Sequence, residues 1–299
     1  MKRGAILRKQ SNENNRLMGY LFLLPNIIGF AIFTFIPVIA ACYISFTDWD
    51  GFGKMKFIGF QNYIKMFSDK VFLVSLKNTL VYTIGSVIPL IIIALLVAMA
   101  LKEGMKFVKV FRAAFFIPHV TAIIAIAAVW QLLFHPTAGP INQFLRSVGI
   151  SNPPSWLSST HWAMFAVIIM TVWKSVGYYM IMFLAGLQGI PDSLYEAASI
   201  DGAGKFRKFF NVTLPMLSPV MFFTVIIAII NSFKIFSNIY ALTQGGPGYS
   251  TNVLVYNIYV EAFQKLKFGY ASAQAYVLFM IILVITLVQF KGQKKWVNY

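Results

Sequence analysis

Six long apolar stretches, separated by shorter polar segments, divide the chain. Each has the roughly 20 residues that a helix rising about 1.5 Å per residue needs to cross about 30 Å of hydrocarbon. None alternates apolar and polar residues as a barrel strand does, so we expect helices, whose backbone groups are satisfied within the segment. The predicted spans are 20–46, 78–101, 113–134, 161–187, 216–242 and 270–290.

The composition agrees with a chain that lies mostly in lipid. Of its 299 residues, 59% are hydrophobic and 11% are charged, whereas a soluble domain carries about 25% charged residues. The first apolar stretch is too long for the core of a signal peptide and has no small-residue cleavage pattern behind it, so we expect an uncleaved span. The net charge of +16 does not indicate nucleic-acid binding, because the basic residues lie between the spans and form no patch interleaved with aromatic residues.

The distribution of basic residues predicts the orientation. Fifteen lysines and arginines lie in the two tails and in the second-to-third and fourth-to-fifth connections, and eight lie in the other connections. The positive-inside rule therefore places both termini in the cytoplasm, which an even number of spans also requires. We expect an all-α membrane protein: a cytoplasmic tail over 1–19, a six-helix domain over 20–290 and a second cytoplasmic tail over 291–299.

Several kinds of chemistry are disfavoured by what the sequence lacks. None of the nine Asp and Glu residues falls inside a predicted span, which argues against coupling to an ion through a buried carboxylate, although backbone carbonyls could still hold sodium. No P-loop pattern occurs, so this chain is not expected to bind nucleotide. The three histidines lack ligand spacing and Cys42 is the single cysteine, so we expect neither a metal site nor an internal disulfide.

The connection between the fourth and fifth spans, 188–215, reads as structured. Pro191 followed by Asp192 is typical of a helix start, and Gly202 can supply the left-handed turn that ends the helix. We expect a second short helix over 205–211, which carries three phenylalanines. The pattern predicts helix, glycine turn and helix on the cytoplasmic side.

Residues of this connection resemble the signature of the inner-membrane permeases of binding-protein-dependent ABC importers. That signature runs Glu-Ala-Ala, three residues, Gly, nine residues, Ile, one residue, Leu-Pro, and the only departure here is a valine at position 212. The matching residues are Glu196, Ala197, Ala198, Gly202, Leu214 and Pro215.

The resemblance implies that 188–215 contains a coupling helix, which sits in a cleft of an ATPase subunit. Glu196 would then make polar contact with the ATPase, Ala197 and Ala198 would permit close approach, and Gly202 would set the turn. Asp201, at helical spacing after the alanines, is assigned to the same contact.

Segments 57–63, 78–79 and 242–251 are similar to the carbohydrate branch of this family, the maltose-transporter type. The resemblance implies a non-catalytic permease in a bacterial cytoplasmic membrane, with no cofactor of its own. Its implied partners are a second, homologous permease, two ATPase subunits that bind ATP and Mg²⁺, an external solute-binding protein, and a sugar as cargo.

Polar side chains inside two predicted spans are candidates for the solute path. In the fifth span three of them recur at i, i+3 and i+7, which predicts one helix face. A lysine near mid-membrane costs roughly 2.5–3.5 kcal/mol to insert, so it should face a cavity or a partner. The candidates are Asn231, Lys234 and Asn238 in the fifth span, and Trp173, Lys174 and Tyr178 in the fourth.

Other interpretations remain open at this point. The same polar side chains could bond neighbouring helices instead of solute. The chain could also be a secondary carrier or channel that works without ATP, or a scaffold that docks an ATPase without transporting. If the two lysines line the path, their charge favours a neutral or acidic sugar, such as a uronate-containing oligosaccharide, over a cationic solute.

Overall fold

The computed structural model describes residues 18, 20–102 and 107–293. This part of the chain is built from helices and one two-stranded antiparallel ribbon, β1 (Thr47–Asp48) with β2 (Lys56–Phe57). The basic residues of the tails, apart from Lys291, and Lys106 lie outside the described residues. The helices are α1 (Tyr20–Ser45), α2 (Gln61–Ser68), α3 (Lys70–Lys102), α4 (Val108–Val120), α5 (Ile123–Leu133), α6 (Pro140–Ser147), α7 (Ala163–Gln188), α8 (Asp192–Ile200), α9 (Lys205–Phe233), α10 (Ser237–Leu242), α11 (Leu254–Tyr259) and α12 (Phe268–Gln293).

Five of the described helices, α1, α3, α7, α9 and α12, are long and apolar enough to cross a membrane, and the bent pair α4–α5 gives a sixth candidate. The six predicted stretches therefore correspond to these elements. Two of them begin earlier than hydropathy predicts, α3 at Lys70 and α9 at Lys205, because a helix continues into water where its polar residues no longer contribute to an apolar stretch.

The third predicted span, 113–134, corresponds to two helices, α4 and α5, instead of a single one. α4 and α5 meet at 98°, and Thr121 and Ala122 between them have extended backbone. Side chains that donate to the last carbonyls of α4 stabilise the break: one adds to the helical bond that the Ile117 carbonyl still accepts from the Thr121 amide, and the other bonds the carbonyls that have lost theirs. The Thr121 hydroxyl donates to the Ile117 carbonyl at 2.8 Å, and Lys174 donates to the next two carbonyls.

The fifth predicted span, 216–242, is also interrupted. α9 ends at Phe233 and α10 begins at Ser237, so Asn231, Lys234 and Asn238 do not share one helix face as predicted. The Ser232 hydroxyl bonds back to the Ile229 carbonyl at 2.7 Å, an arrangement that often bends helices. The break also lets the Phe236 ring pack against three tyrosine rings, with centroids 5.2–6.2 Å apart.

α7 is the most buried span of the described chain and packs against α3, α4 and α9. Gly177 makes the α4 contact possible, since a Cβ there would collide with the carbonyl of Phe115. α1, in contrast, lies at the outside of the bundle, where it packs against α12 and accepts a hydrogen bond from Tyr276 to the Val38 carbonyl. Most of the surface of α1 is thus left for lipid or another subunit.

Candidate functional site

A cavity of about 210 Å³ lies where α3, α7 and α9 meet α4 and α10. Its lining combines hydroxyl, amide, imidazole and ammonium groups and includes no carboxylate. Such groups can donate and accept hydrogen bonds with an uncharged or anionic solute. The polar lining residues are Tyr82, Ser86, His119, Thr171, Lys174, Ser175, Tyr178, Tyr179, Asn231, Ser232 and Asn238.

The two asparagines predicted in the fifth span both reach this cavity, although they lie on different helices. Asn231, on α9, donates from Nδ2 to the Tyr179 hydroxyl at 3.3 Å. Asn238, on α10, is buried and donates to the Thr171 hydroxyl at 2.7 Å. Each asparagine thus also bonds a neighbouring helix, so the path and packing interpretations are compatible here.

Lys174 lines the cavity and also bonds the end of α4. Its Nζ donates to the carbonyls of His119 at 2.6 Å and Pro118 at 3.2 Å. The His119 ring stacks on the Tyr178 ring, with centroids 4.6 Å apart. The ammonium group is therefore held at the break between α4 and α5 by backbone oxygens, which carry no full negative charge to neutralise it.

The remaining two predicted path residues lie elsewhere. Lys234 directly follows the last residue of α9 and is exposed. Trp173 is 48% exposed and packs edge-to-face on Trp130 with ring centroids 5.6 Å apart. Neither lines the cavity. Polar residues on a helix line a path only where other helices pack around them. The hydropathy of a span does not indicate where that packing occurs.

Sequence reasoning missed several lining residues. Tyr82 and Ser86 recur at i, i+4 on α3, and Thr171 recurs at i, i+3 with Lys174 on α7. These spacings were available as a signal in the sequence. Hydroxyl side chains are common in membrane helices, however, and their spacing alone does not indicate which face meets a cavity. The spacing of His119 relative to the other histidines argues only against a metal site and carries no signal for the cavity.

A second candidate feature is the loop before α9. α8 ends at Ile200 and is followed by Asp201 and then by Gly202, which has φ +73°, so the predicted left-handed glycine turn is present. The Gly202 amide donates to the Ser199 carbonyl at 3.1 Å, and the next amide donates to the Ala198 carbonyl at 2.9 Å. These bonds close the helix end and satisfy carbonyls that would otherwise be unpaired.

α8 presents an exposed surface. The side chains of Glu196 and Ala197 are exposed and Ala198 is half-buried. Ile200 is 87% exposed, which is unusual for an isoleucine in a folded chain. Around Glu196 this surface combines a carboxylate with small and apolar residues, a composition that suits contact with another protein.

The second short helix predicted over 205–211 is not separate. It is the start of α9, which runs without a break from Lys205 through Leu214 and Pro215 to Phe233. A π-helical turn precedes the proline, where the Leu214 amide donates to the Phe209 carbonyl. Proline is well tolerated at the start of a regular α-helical segment, where its missing N–H is not needed.

Comparisons with known proteins agree with this architecture. Residues 79–291 match the family of binding-protein-dependent transport system inner membrane components. The probable ABC transporter permease protein YurN of Bacillus subtilis is 37% identical over 283 residues, which cover 93% of this chain and 97% of that protein. The sn-glycerol-3-phosphate transport system permease protein UgpA of Agrobacterium fabrum is 35% identical over 287 residues, which cover 95% and 97%.

A solved structure shows the same fold. It is the crystal structure of a bacterial ABC transporter involved in the import of the acidic polysaccharide alginate. One of its chains is 25% identical with a TM-score of 0.85, and the match covers 97% of this chain and 100% of that chain. Since the family match spans most of the sequence and both relatives exceed 30% identity, this chain belongs to the binding-protein-dependent transport system inner membrane components.

Proposed function

We propose that this chain is the permease subunit of an ATP-driven importer for a sugar or oligosaccharide, placed in a bacterial cytoplasmic membrane with both termini inside. The observation that carries the proposal is the continuity of α9. One helix begins beside the exposed α8 at Lys205 and reaches the cavity at Asn231. A partner that moves α8 can therefore move a wall of the cavity.

The loop supports a coupling role for α8. Glu196, Ala197 and Ala198 would form the surface that meets an ATPase, Asp201 and Gly202 would fix the end of the helix, and Leu214 and Pro215 belong to the helix that transmits the motion. The ATPase subunits would bind ATP and Mg²⁺, since this chain offers no nucleotide-binding motif. The permease itself would catalyse no reaction.

The size of the cavity supports pairing with a second permease. At about 210 Å³ it is smaller than the roughly 300–1,000 Å³ of ordinary ligand sites. A homologous chain across the path would supply the other wall, and an external solute-binding protein would deliver the sugar. Two permeases would also offer two coupling helices to a pair of ATPase subunits.

The charge of the lining supports a neutral or acidic sugar. The Lys174 ammonium group faces a cavity without carboxylates, so a cationic solute would meet an uncompensated like charge in low dielectric. The named solutes of two similar transporters, sn-glycerol-3-phosphate and alginate, are acidic. We therefore propose an oligosaccharide, with a uronate-containing one as the specific candidate.

The test is reconstitution of the importer with its ATPase and binding protein in proteoliposomes. We expect uptake that requires ATP and the binding protein, with uronate oligosaccharide transported at least as well as its neutral counterpart. The Asn231→Asp variant adds a carboxylate to the cavity and should reduce uptake of the acidic sugar more than the neutral one. Uptake by the purified chain alone, without ATPase, would contradict the importer assignment.

A further inference from the structure

A second pocket, of about 640 Å³, lies between the end of α3, α8 and the start of α9. It is distinct from the cavity described above and shares no lining residue with it. Three lysines, Lys102, Lys205 and Lys208, line it together with the single acidic residue Asp192. The rest of the wall is mainly apolar and aromatic. The pocket is called the interfacial pocket below.

The three lysines lack acidic partners in the described chain. Over residues 20–102 and 107–293, the one salt bridge joins Lys265 to Glu261. Lys208 donates to the Ser199 hydroxyl at 2.6 Å, and Lys102 lies 4.4 Å from the centroid of the Tyr195 ring. Neither contact neutralises the charge. The interfacial pocket thus keeps a positive excess that suits an anion.

The walls indicate that the anion has an apolar part. Lys102 is the last residue of α3, and Leu96 lies six residues earlier on the same helix, about 9 Å towards the membrane at 1.5 Å per residue. The aromatic wall includes Phe206, which is 83% exposed, and Phe210, which is 58% exposed. The phenylalanines therefore border the lysines at the start of α9, and Leu96 extends the apolar wall along α3. A lysine cluster beside an apolar wall matches a phosphate headgroup and an acyl chain.

We propose that the interfacial pocket binds an anionic phospholipid of the inner leaflet, with its phosphate between Lys102, Lys205 and Lys208 and an acyl chain along Leu96 and the phenylalanines. The placement in the inner leaflet rests on the proposed function, which puts this face in the cytoplasm. A lysine near a membrane surface attracts anionic lipid, and three that converge on one pocket select for it.

The site would link lipid composition to coupling. Tyr195, on α8, faces the interfacial pocket, and its hydroxyl lies 3.0 Å from that of Thr213 on α9. The interfacial pocket therefore contacts both α8 and α9, the helix that runs from α8 to the cavity. A lipid seated there would hold α8 against α9, and its loss would loosen their contact.

The experiment measures lipid retained by the complete importer after purification. Equal amounts of phosphatidylglycerol and phosphatidylcholine with identical acyl chains are offered in detergent, and native mass spectrometry counts each. We expect the wild type to retain phosphatidylglycerol in preference to phosphatidylcholine. The triple variant Lys102→Gln, Lys205→Gln, Lys208→Gln should lower the affinity for phosphatidylglycerol on the order of 100-fold.

Two further variants keep the result interpretable. Lys205 makes no side-chain hydrogen bond that holds the described fold together, so Lys205→Gln alone should assemble normally and lower the affinity roughly fivefold. Arg207→Gln removes one positive charge from the same helix turn but outside the interfacial pocket, and should retain the lipid.

Several outcomes would overturn the proposal. Equal retention of phosphatidylcholine would remove the anion selectivity. Unchanged retention of phosphatidylglycerol by the triple variant would show that this lipid does not occupy the interfacial pocket, which is then either empty or covered by a partner subunit. Displacement of the lipid by inorganic phosphate at millimolar concentration would indicate a site for a free anion instead. If the complex retains no lipid selectively but its ATPase still responds normally to the solute-loaded binding protein, the lipid proposal is wrong and the importer assignment stands.

Discussion

The Lys174 ammonium group donates to the His119 carbonyl at 2.6 Å, where α4 ends and α5 turns away by 98°. One side chain of α7 therefore fixes the break in the neighbouring span and also lines the cavity. The positive charge of Lys174 could act on the solute, whereas its hydrogen bonds stabilise the break. Substitutions can distinguish these two roles.

Replacing Lys174 with Met should reduce uptake of neutral and acidic sugars alike, because two carbonyls at the break lose their donor. Leaving such groups unpaired costs about 1–3 kcal/mol, which should appear as a lower melting temperature in detergent. Lys234→Ala, which alters an exposed residue outside the cavity, is the comparison and should have the smaller effect. Loss of acidic sugar uptake alone, with unchanged stability, would show that the ammonium group acts on the solute.

Gly177→Ala should destabilise the fold, because α4 and α7 approach so closely that the new methyl group would collide with the Phe115 carbonyl. Overpacking of this kind costs typically about 1–3 kcal/mol. Fluorescence-detected gel filtration after heating measures the loss. Gly29→Ala is the control, since its Cβ would have no atom within 4 Å. Equal thermal stability of the two variants would contradict the assigned contact.

Glu196→Lys and Gly202→Val should impair stimulation of the ATPase while leaving membrane insertion intact, because both residues lie outside the spans. Glu196 is exposed, so its substitution should change stability by no more than about 0.5 kcal/mol. At Gly202 the space is open but φ is +73°, a conformation that a β-branched residue avoids.

Gly202→Asn is the matched control for the turn, since asparagine tolerates the left-handed region. It should retain most of the coupling that Gly202→Val loses. Co-purification of ATPase and its solute-stimulated turnover are the readouts. Normal turnover in both Glu196→Lys and Gly202→Val would mean that α8 is not the coupling helix.

Asp69, at the start of α3, should make the stability of the fold sensitive to acid. Burial alone would raise the pKa of this carboxyl, but hydrogen bonds from the Tyr270 hydroxyl and from the amides of Val71 and Phe72, with nearby Lys265, lower the pKa overall. Because the folded-state pKa lies below the unfolded value of about 3.9, this contribution to stability is present above that value. It is lost as the pH falls through the lowered folded-state pKa.

Asp69→Asn should therefore lower the melting temperature at neutral pH and flatten its decline below about pH 4. Asparagine can still cap the helix, so the cost at neutral pH is the loss of the charged acceptor for the Tyr270 hydroxyl, about 1 kcal/mol. Melting curves of both proteins from pH 7 to pH 3 provide the test. Parallel declines with acid would show that another group titrates. Asp50→Asn is the comparison for a carboxyl without a long-range bond: the amides of Gly53 and Phe52 lower the pKa of Asp50 as well, but in an exposed turn, so this variant should change the acid response less.

The sequence by itself determined the features that depend on local composition and spacing. Apolar length predicted the six candidate spans, because crossing hydrocarbon requires a set number of helical residues. Gly202 predicted the left-handed turn, because only the residue itself decides which backbone conformations are open to it. The spaced residues of 188–215 resembled a family signature, and the comparisons show that family.

Only the tertiary structure decided where the predicted spans are broken, because hydropathy treats each apolar stretch as one continuous helix. The breaks at Thr121 and after Phe233 lie within apolar stretches, and each is stabilised by distant groups: Lys174 on α7 for the first, and the aromatic rings around Phe236 for the second. Those breaks bring Asn238 to the cavity while Lys234 stays outside. A polar residue in a span lines a path only when other helices converge on it, and that convergence depends on packing between residues far apart in the chain.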